Sequence, residues 1–237
     1  GAASEISVYV RDLNNGPWIG IREHKDFAPA SLLKIPVMIA YYKLAEEKPE
    51  ILHQEIIYDP SKLPASLAPE IPPLQVLEPM KAYSVQELIK RMIVCSDNAA
   101  KNLLLLSIDP GFLEQVFLDL QLTAPDVNQP VDFLSVKNYA SVFRILYNSS
   151  YLSRPFSERA LALLLEEDFA DGLRAGLPKG IKIANKFGER EDAAGVKQLH
   201  DCGIVYAPPG PYLICVMTKG KELAPLKGIL KDISKMA

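Results

Sequence analysis

A serine and a lysine three positions apart, Ser31 and Lys34, are the pair in this sequence best suited to nucleophilic chemistry. On the first turn of a helix, their side chains would share one face. Pro29 favours a helix start here, and the apolar run 35–42 predicts that the helix is buried. A hydroxyl at a helix N-terminus faces free N–H groups, and a buried lysine favours its neutral form. The pair is therefore a candidate nucleophile and general base.

Two further short motifs carry polar side chains that a cleft would need: Ser96-Asp97-Asn98 and Lys186-Phe187-Gly188. The first falls between two predicted helices and the second at the end of a predicted strand, so both can project into one cleft. Each motif also has an ordinary interpretation. Ser-x-x-Lys is short enough to arise by chance, Ser-Asp-Asn is a common helix cap, and Lys-x-Gly is typical of a solvated lysine before a turn. The combination in this order is much harder to obtain by chance.

The elements that must position these motifs follow from hydrophobic periodicity and turn signals. Strands are predicted near both ends of the chain, at 6–11, 18–21, 181–187, 199–207 and 212–218. Helices are predicted between them and at the C-terminus, at 31–47, 85–94, 99–106, 110–120, 135–147, 157–166 and 223–236. The proline-rich segment 60–79 is expected to be an ordered loop.

This element order predicts an α+β fold in one domain. An antiparallel five-stranded sheet flanked by helices would be built from the N- and C-terminal segments. We expect this α/β lobe to comprise 1–30 and 179–237, and an inserted all-helical lobe to comprise 31–178.

The composition is that of a soluble globular protein, with 49% hydrophobic and 23% charged residues. A formal net charge of −3 without a basic run argues against a nucleic-acid partner. No apolar run is long enough to span a membrane, and no signal peptide is visible. Residues 1–3 read as a processing remnant, which leaves a removed export segment open.

Three cysteines, Cys95, Cys202 and Cys215, lie in apolar surroundings and are odd in number. Their spacing does not match that of metal ligands. We therefore expect buried thiols without a structural disulfide, and we expect neither a metal nor a cofactor.

The three motifs together resemble those of the penicillin-recognising serine hydrolases, most closely the class A β-lactamases and their D,D-peptidase relatives. The similarity continues through 96–105, 172–180 and 200–206, and the element order matches over nearly the whole chain. The resemblance implies a β-lactamase-like domain that acts on a β-lactam or a peptidoglycan stem-peptide-like substrate. It also implies a monomer in the periplasm or another extracytoplasmic location.

The resemblance assigns catalytic roles to the motif residues. Ser31 is expected to form an acyl-enzyme, with Lys34 as its base. Lys186 is expected to lower the pKa of Lys34 by its like charge and to attract a substrate carboxylate. Ser96 would relay a proton to the leaving nitrogen, whereas Asp97 would brace the structure.

The remaining expected site residues bind the substrate. The backbone N–H groups of Ser31 and Glu189 would form the oxyanion hole. Asn98 would hold the amide side chain of the substrate. Phe187 and Gly188 would belong to the substrate-binding wall.

Two departures from the family pattern bear on turnover. Class A enzymes carry a Glu-x-x-Leu-Asn motif whose glutamate activates the deacylating water, and the corresponding segment 122–133 has none. Its acids, Asp126 and Asp132, are interpreted as turn or capping residues. Phe187 stands where the family has a hydroxyl residue, and 201–203 contains no arginine to anchor a carboxylate. We therefore expect intact acylation and slow deacylation.

Three functions remain open at this point. The first is a serine hydrolase or acyltransferase that releases its acyl group slowly. The second is an active β-lactamase with a different deacylation base. The third is a non-catalytic binding domain in which Phe187 fills the pocket. A Ser-His-Asp hydrolase is not supported, because His24, His53 and His200 accompany no Gly-x-Ser-x-Gly motif.

Overall fold

A computed structural model describes residues 3–14, 16–63, 69–125 and 131–237. Asp126, one of the two acids considered above, and residues 1–2 of the expected remnant lie outside the described residues. The strands are Glu5–Asp12 (β1), Trp18–Ile21 (β2), Asp26–Phe27 (β3), Glu55–Ile57 (β4), Ala82–Ser84 (β5), Leu134–Ser135 (β6), Lys182–Glu191 (β7), Lys197–Tyr206 (β8) and Tyr212–Gly220 (β9). The α-helices are Lys34–Glu47 (α1), Val85–Val94 (α2), Asn98–Ser107 (α3), Pro110–Asp119 (α4), Val136–Tyr147 (α5), Arg154–Leu165 (α6) and Leu223–Met236 (α7).

The central sheet has five antiparallel strands in the order β2-β1-β9-β8-β7, which confirms the predicted fold class. Two short pairs, β3 with β6 and β4 with β5, were not predicted, because strands of two or three residues carry no readable alternation. Strand β7 is an edge of the sheet, and this edge lies against the turn that carries Ser31. The expected boundaries of the two lobes stay a prediction.

Hydrophobic cores lie on both faces of the sheet. Alternate side chains of β9 point to opposite faces, as the strand period of two requires. Cys215 joins the larger core with the helices, whereas Ile214 and Val216 pack with Leu226 and Leu230 of α7. Packing of α7 on this face of the sheet therefore explains why the C-terminal helix is amphipathic.

Helix α1 is buried on nearly all sides, as its apolar sequence predicts. A 3-10 turn at Ala30–Leu33 precedes it, so Ser31 lies on that turn and Lys34 begins the α-helix. A proline in a helix interior costs a backbone hydrogen bond and bends the helix. Pro36 lies instead in the first turn of α1, where backbone N–H groups have no intrahelical partner.

The expectation that no disulfide forms is wrong, because Cys202 and Cys215 are bonded to each other. They occupy directly paired positions on β8 and β9, and both side chains are buried. The order of strands across the sheet creates this juxtaposition, and cysteine spacing alone does not reveal it. Cys95 remains a free thiol.

Strand β7 extends four residues beyond its predicted end. Lys186, Phe187 and Gly188 were expected at a strand end, but they lie inside β7 and pair with β8. The sequence did not predict this extension, because residues 189–191 are polar and show no apolar alternation. In the described part of the chain, no helix combines the length and hydropathy that a membrane span requires.

Candidate active site

A cleft of about 810 Å³ opens beside the edge of β7 and contains most of the residues proposed from the sequence. Those that line it are Ser31, Lys34, Ser96, Asn98, Phe187 and Glu189. Lys186 and Gly188 are not among the described lining residues. The three sequence motifs thus converge on one place, although they contribute to it in different ways.

Buried side chains fix the turn that carries Ser31. The Tyr139 hydroxyl donates to the carbonyl oxygen of Leu32 at 2.7 Å. The Ala28 N–H donates to Gln198 Oε1 at 3.1 Å, and the Ala28 carbonyl lies 2.9 Å from His200 Nε2. The turn that carries Ser31 is therefore held by contacts from a helix and from the central sheet.

Lys34 is almost fully buried and lies against the Ser96 loop. Its Nζ donates to the Ser96 carbonyl oxygen at 2.5 Å and lies 3.0 Å from Ser96 Oγ. Burial lowers the pKa of Lys34 well below its ordinary value, and the nearby positive charges of Lys186 and Lys101 lower it further. Both effects favour the neutral amine, which is the form of lysine that can accept a proton.

The loop that carries Ser96 is shaped by its own backbone and by a helix cap. Ser96 has a φ of 53°, in the left-handed region that residues other than glycine seldom adopt. Ala30, which precedes Ser31, has a φ of 50°. Such strained positions concentrate at functional sites. Asp97 caps α3, since Oδ1 accepts from the N–H groups of Ala99 and Ala100 at 2.7 and 3.1 Å.

Lys186 lies behind the cleft wall, with a fully buried side chain. Its Nζ donates to Glu167 Oε1 at 3.3 Å and also lies 4.2 Å from the centre of the Phe187 ring. Burial lowers the pKa of Lys186, while Glu167 acts in the opposite direction. The structure thus places this cation beside a carboxylate of the protein, whereas the sequence suggested a position in contact with the substrate.

Phe187 packs into the core on the α7 side of the sheet. Its ring stacks on Phe169 with 4.3 Å between centroids, and 3% of the residue is exposed. Gly188 allows β7 to pack closely on the turn that carries Ser31, since a Cβ there would lie 3.2 Å from the backbone nitrogen of Ser31, closer than most Cβ contacts. Glu189 Oε1 accepts from the Ile71 N–H at 3.1 Å, and burial raises the pKa of Glu189.

The sequence did not reveal the residues that support the site from behind. Glu167 follows α6 in an ordinary acidic run, and only the tertiary fold brings it to Lys186. Asp132 was interpreted as a turn or capping residue, but it forms an ion pair with Lys219 and accepts from Gln198 Nε2 at 3.1 Å. It thereby orients the side chain that holds Ala28. The described residues contain no cluster of His, Cys, Asp and Glu that would hold a metal ion.

Comparisons with known proteins identify the family of the chain. The model of the β-lactamase enzyme family matches residues 1–237. No curated protein is a significant match to the chain.

Several solved structures share the fold. The acyl-enzyme complex of a Leu-to-Glu mutant of PBP-A with penicillin G is 26% identical, with a TM-score of 0.81, and the match covers 98% of this chain and 88% of that one. A β-lactamase from Xanthomonas campestris pv. campestris is 23% identical with a TM-score of 0.82, covering 98% and 91% of the two chains. A class A β-lactamase from Mycobacterium abscessus is 21% identical with a TM-score of 0.82, covering 99% and 92%.

Proposed function

The chain belongs to the β-lactamase enzyme family, and we propose that it forms an acyl-enzyme at Ser31 with β-lactams or peptidoglycan-like D-Ala-D-Ala amides. The observation that carries this proposal is the convergence of Ser31, Lys34 and Ser96 on one cleft. The similarity to PBP-A supports the substrate class, since the mutant of that protein forms an acyl-enzyme complex with penicillin G.

The proposed acylation begins with neutral Lys34, which takes the proton of the Ser31 hydroxyl. Ser31 Oγ then bonds to the carbonyl carbon of the substrate amide, and the backbone N–H groups of Ser31 and Glu189 stabilise the oxyanion. When the C–N bond breaks, the proton passes from Lys34 to the leaving nitrogen. Ser96 relays it, and the 3.0 Å separation of Lys34 Nζ from Ser96 Oγ supports this route. Asn98, which lines the cleft, would hold the amide side chain of the substrate.

Release of the acyl group is proposed to be slow. The segment 122–133 supplies no glutamate to activate a water molecule, and Asp132, its described acid, is occupied by Lys219 and Gln198. Without a positioned base, hydrolysis of the ester loses the contribution of general base catalysis, which is typically about 10²–10⁴-fold. We therefore expect the acyl-enzyme to accumulate.

Intact mass spectrometry over time tests the function directly. Wild-type protein incubated with penicillin G is expected to gain the mass of one penicillin molecule and to keep it. Ser31→Ala is expected to gain none, because the bond-forming oxygen is gone, and Ser141→Ala, at a partly exposed serine of α5, serves as the matched control. An unmodified wild-type protein at high penicillin concentration, with the penicillin left unhydrolysed, would contradict the proposal and favour a non-catalytic binding domain.

An active β-lactamase is the alternative that a specific observation favours. Glu189 places a half-buried carboxylate in the cleft, and burial raises its pKa towards the range of a useful base. The same mass-spectrometric time course separates the two functions. Steady conversion of penicillin to hydrolysed product without a lasting adduct would favour the β-lactamase.

The proposal includes an extracytoplasmic location and a monomeric state. The Cys202–Cys215 disulfide supports the location, because structural disulfides persist mainly in oxidising compartments.

A further inference from the structure

Glu167 is a fully buried carboxylate to which the acylation steps above assign no role. It follows the end of α6, and its Oε1 lies 3.3 Å from Lys186 Nζ, with neither side chain exposed. Its Oε2 accepts from Asn185 Nδ2 at 3.2 Å and from the Phe169 N–H at 3.3 Å. Buried carboxylates are rare unless they are paired in this way, so the position of Glu167 requires an explanation.

The network around Glu167 is closely bonded and therefore rigid. Asn185 Nδ2 also donates to Asp201 Oδ1 at 3.0 Å, and Asp201 Oδ2 accepts from the Leu173 N–H at 2.9 Å. An Arg174 nitrogen donates to the Glu167 carbonyl oxygen at 3.1 Å. The Glu167 carboxylate cannot turn away from Lys186 without breaking its own bonds with Asn185 Nδ2 and the Phe169 N–H.

The same segment contacts the loop that carries Ser96. The Asp168 N–H donates to the carbonyl oxygen of Val94 at 3.2 Å, at the end of α2 and two residues before Ser96. Glu167 therefore stands where β7, the end of α6 and the Ser96 loop meet.

Lys186 is surrounded by charged and titratable groups from several elements. Those that influence it or are influenced by it are Glu167, Asp168, Asp201, Lys34 and Cys95. Burial raises the pKa of both Glu167 and Asp201, while the positive charge of Lys186 opposes both shifts and favours the ionised carboxylates. Glu167 is the one among these acids that bonds the Lys186 ammonium directly.

We propose that Glu167 is a positioning residue for acylation, which holds the ammonium group of Lys186 behind the cleft wall and keeps it charged. This inference rests on the proposed function, because the charge of Lys186 adds to the effect of burial in favouring a neutral Lys34 beside Ser31. Removal of one partner from a buried ion pair leaves the other charge uncompensated. Without Glu167, Lys186 is therefore expected to lose its proton at a lower pH.

The test measures the rate of penicillin G adduct formation by intact mass spectrometry between pH 6 and pH 10. In Glu167→Gln, we expect the alkaline fall of the rate to move to lower pH by about one unit, the typical effect of an opposite charge at this distance. Glu167→Asp keeps the charge on a shorter side chain and is expected to give an intermediate shift. Glu166→Gln changes the neighbouring exposed carboxylate and is the matched control, expected to follow the wild type.

The outcomes separate this inference from the function on which it rests. A wild-type adduct whose pH dependence is the same in Glu167→Gln overturns the role of Glu167 alone. If Glu167→Gln does not fold, Glu167→Asp decides, and an unshifted alkaline limb in that variant overturns the role. No adduct on the wild-type protein at any pH overturns the proposed function and this inference together.

Discussion

At the scale of single residues, the environment of each lysine decides its chemistry. Lys34 and Lys186 are both buried, but Lys34 bonds the neutral Ser96 whereas Lys186 bonds the carboxylate of Glu167. Burial favours the neutral form of both, and only Lys186 has a bonded counter-charge that opposes it. The two lysines are therefore suited to different tasks, one as a base and the other as a fixed positive charge.

Lys34→Arg tests the role of a neutral amine. Arginine keeps the charge but does not lose its proton, so it cannot accept one from Ser31. We expect penicillin G adduct formation to fall about 10²–10⁴-fold, the usual contribution of general base catalysis. Lys43→Arg, on the same helix in a partly exposed ion pair with Glu46, is expected to retain the wild-type rate.

The pH dependence supplies an independent readout for the same residue. Because the pKa of Lys34 is lowered, the wild-type rate is expected to rise with pH through a range below the ordinary lysine pKa of 10.5. This ascending limb should disappear in Lys34→Arg. A variant that labels within tenfold of the wild-type rate would argue against Lys34 as the base.

At the scale of elements, helix caps connect stability to the site. Asp97 and Asp109 are both N-caps, and each accepts hydrogen bonds from the first turn of its helix. Asp97 lies between two residues that line the cleft, Ser96 and Asn98, whereas Asp109 is not among the described lining residues. A comparison of variants at the two caps therefore separates the contribution of a cap to stability from its contribution to the positions of Ser96 and Asn98.

Asp97→Ala and Asp109→Ala are each expected to lower the free energy of unfolding by about 1 kcal/mol, the typical value of an N-cap. Urea denaturation followed by circular dichroism measures this loss. Only Asp97→Ala is expected to slow adduct formation, because its cap orients Ser96 and Asn98. Equal labelling rates in the two variants would show that Asp97 contributes stability alone.

The sequence predicted the elements well, because their signals are local. Ser84 and Ser135 accept hydrogen bonds from the third following residue, as N-caps of α2 and α5. The residues that hold the site together depend on tertiary pairing, which local patterns do not encode. Glu167 meets Lys186 across 19 positions, and Ala28 meets Gln198 across 170. The disulfide was missed for the same reason, since it depends on the pairing of β8 with β9.

At the scale of the whole molecule, His200 joins the segment that leads into the Ser31 turn to the sheet. Its Nε2–H donates to the Ala28 carbonyl oxygen, and its Nδ1 accepts from the Thr218 N–H at 3.3 Å. These partners require the neutral ring, because a proton on Nδ1 would face another donor. Burial accordingly lowers the pKa of His200 to about 4.

This shift makes the fold sensitive to acid. Between pH 6.5 and about 4, the unfolded chain binds a proton at His200 that the native protein does not bind. The free energy of unfolding therefore decreases as the pH falls through this window, by about 3 kcal/mol in total. His200→Gln lowers the stability at pH 7. It also removes the part of the acid-dependent loss of stability that comes from protonation of His200. The stability difference between the wild type and the variant is thus expected to shrink by about 3 kcal/mol from pH 7 to pH 4.

Urea denaturation at several pH values measures this difference. Glu167 and Asp201, whose raised pKa values favour the folded state in acid, act equally in both proteins and cancel in the comparison. His24→Gln removes an exposed histidine and should leave the pH dependence of the wild type unchanged. A stability difference for His200→Gln that is constant from pH 7 to pH 4 would contradict a buried, neutral His200. The loss of stability at low pH would then come from groups other than His200, which joins the segment before Ser31 to the sheet.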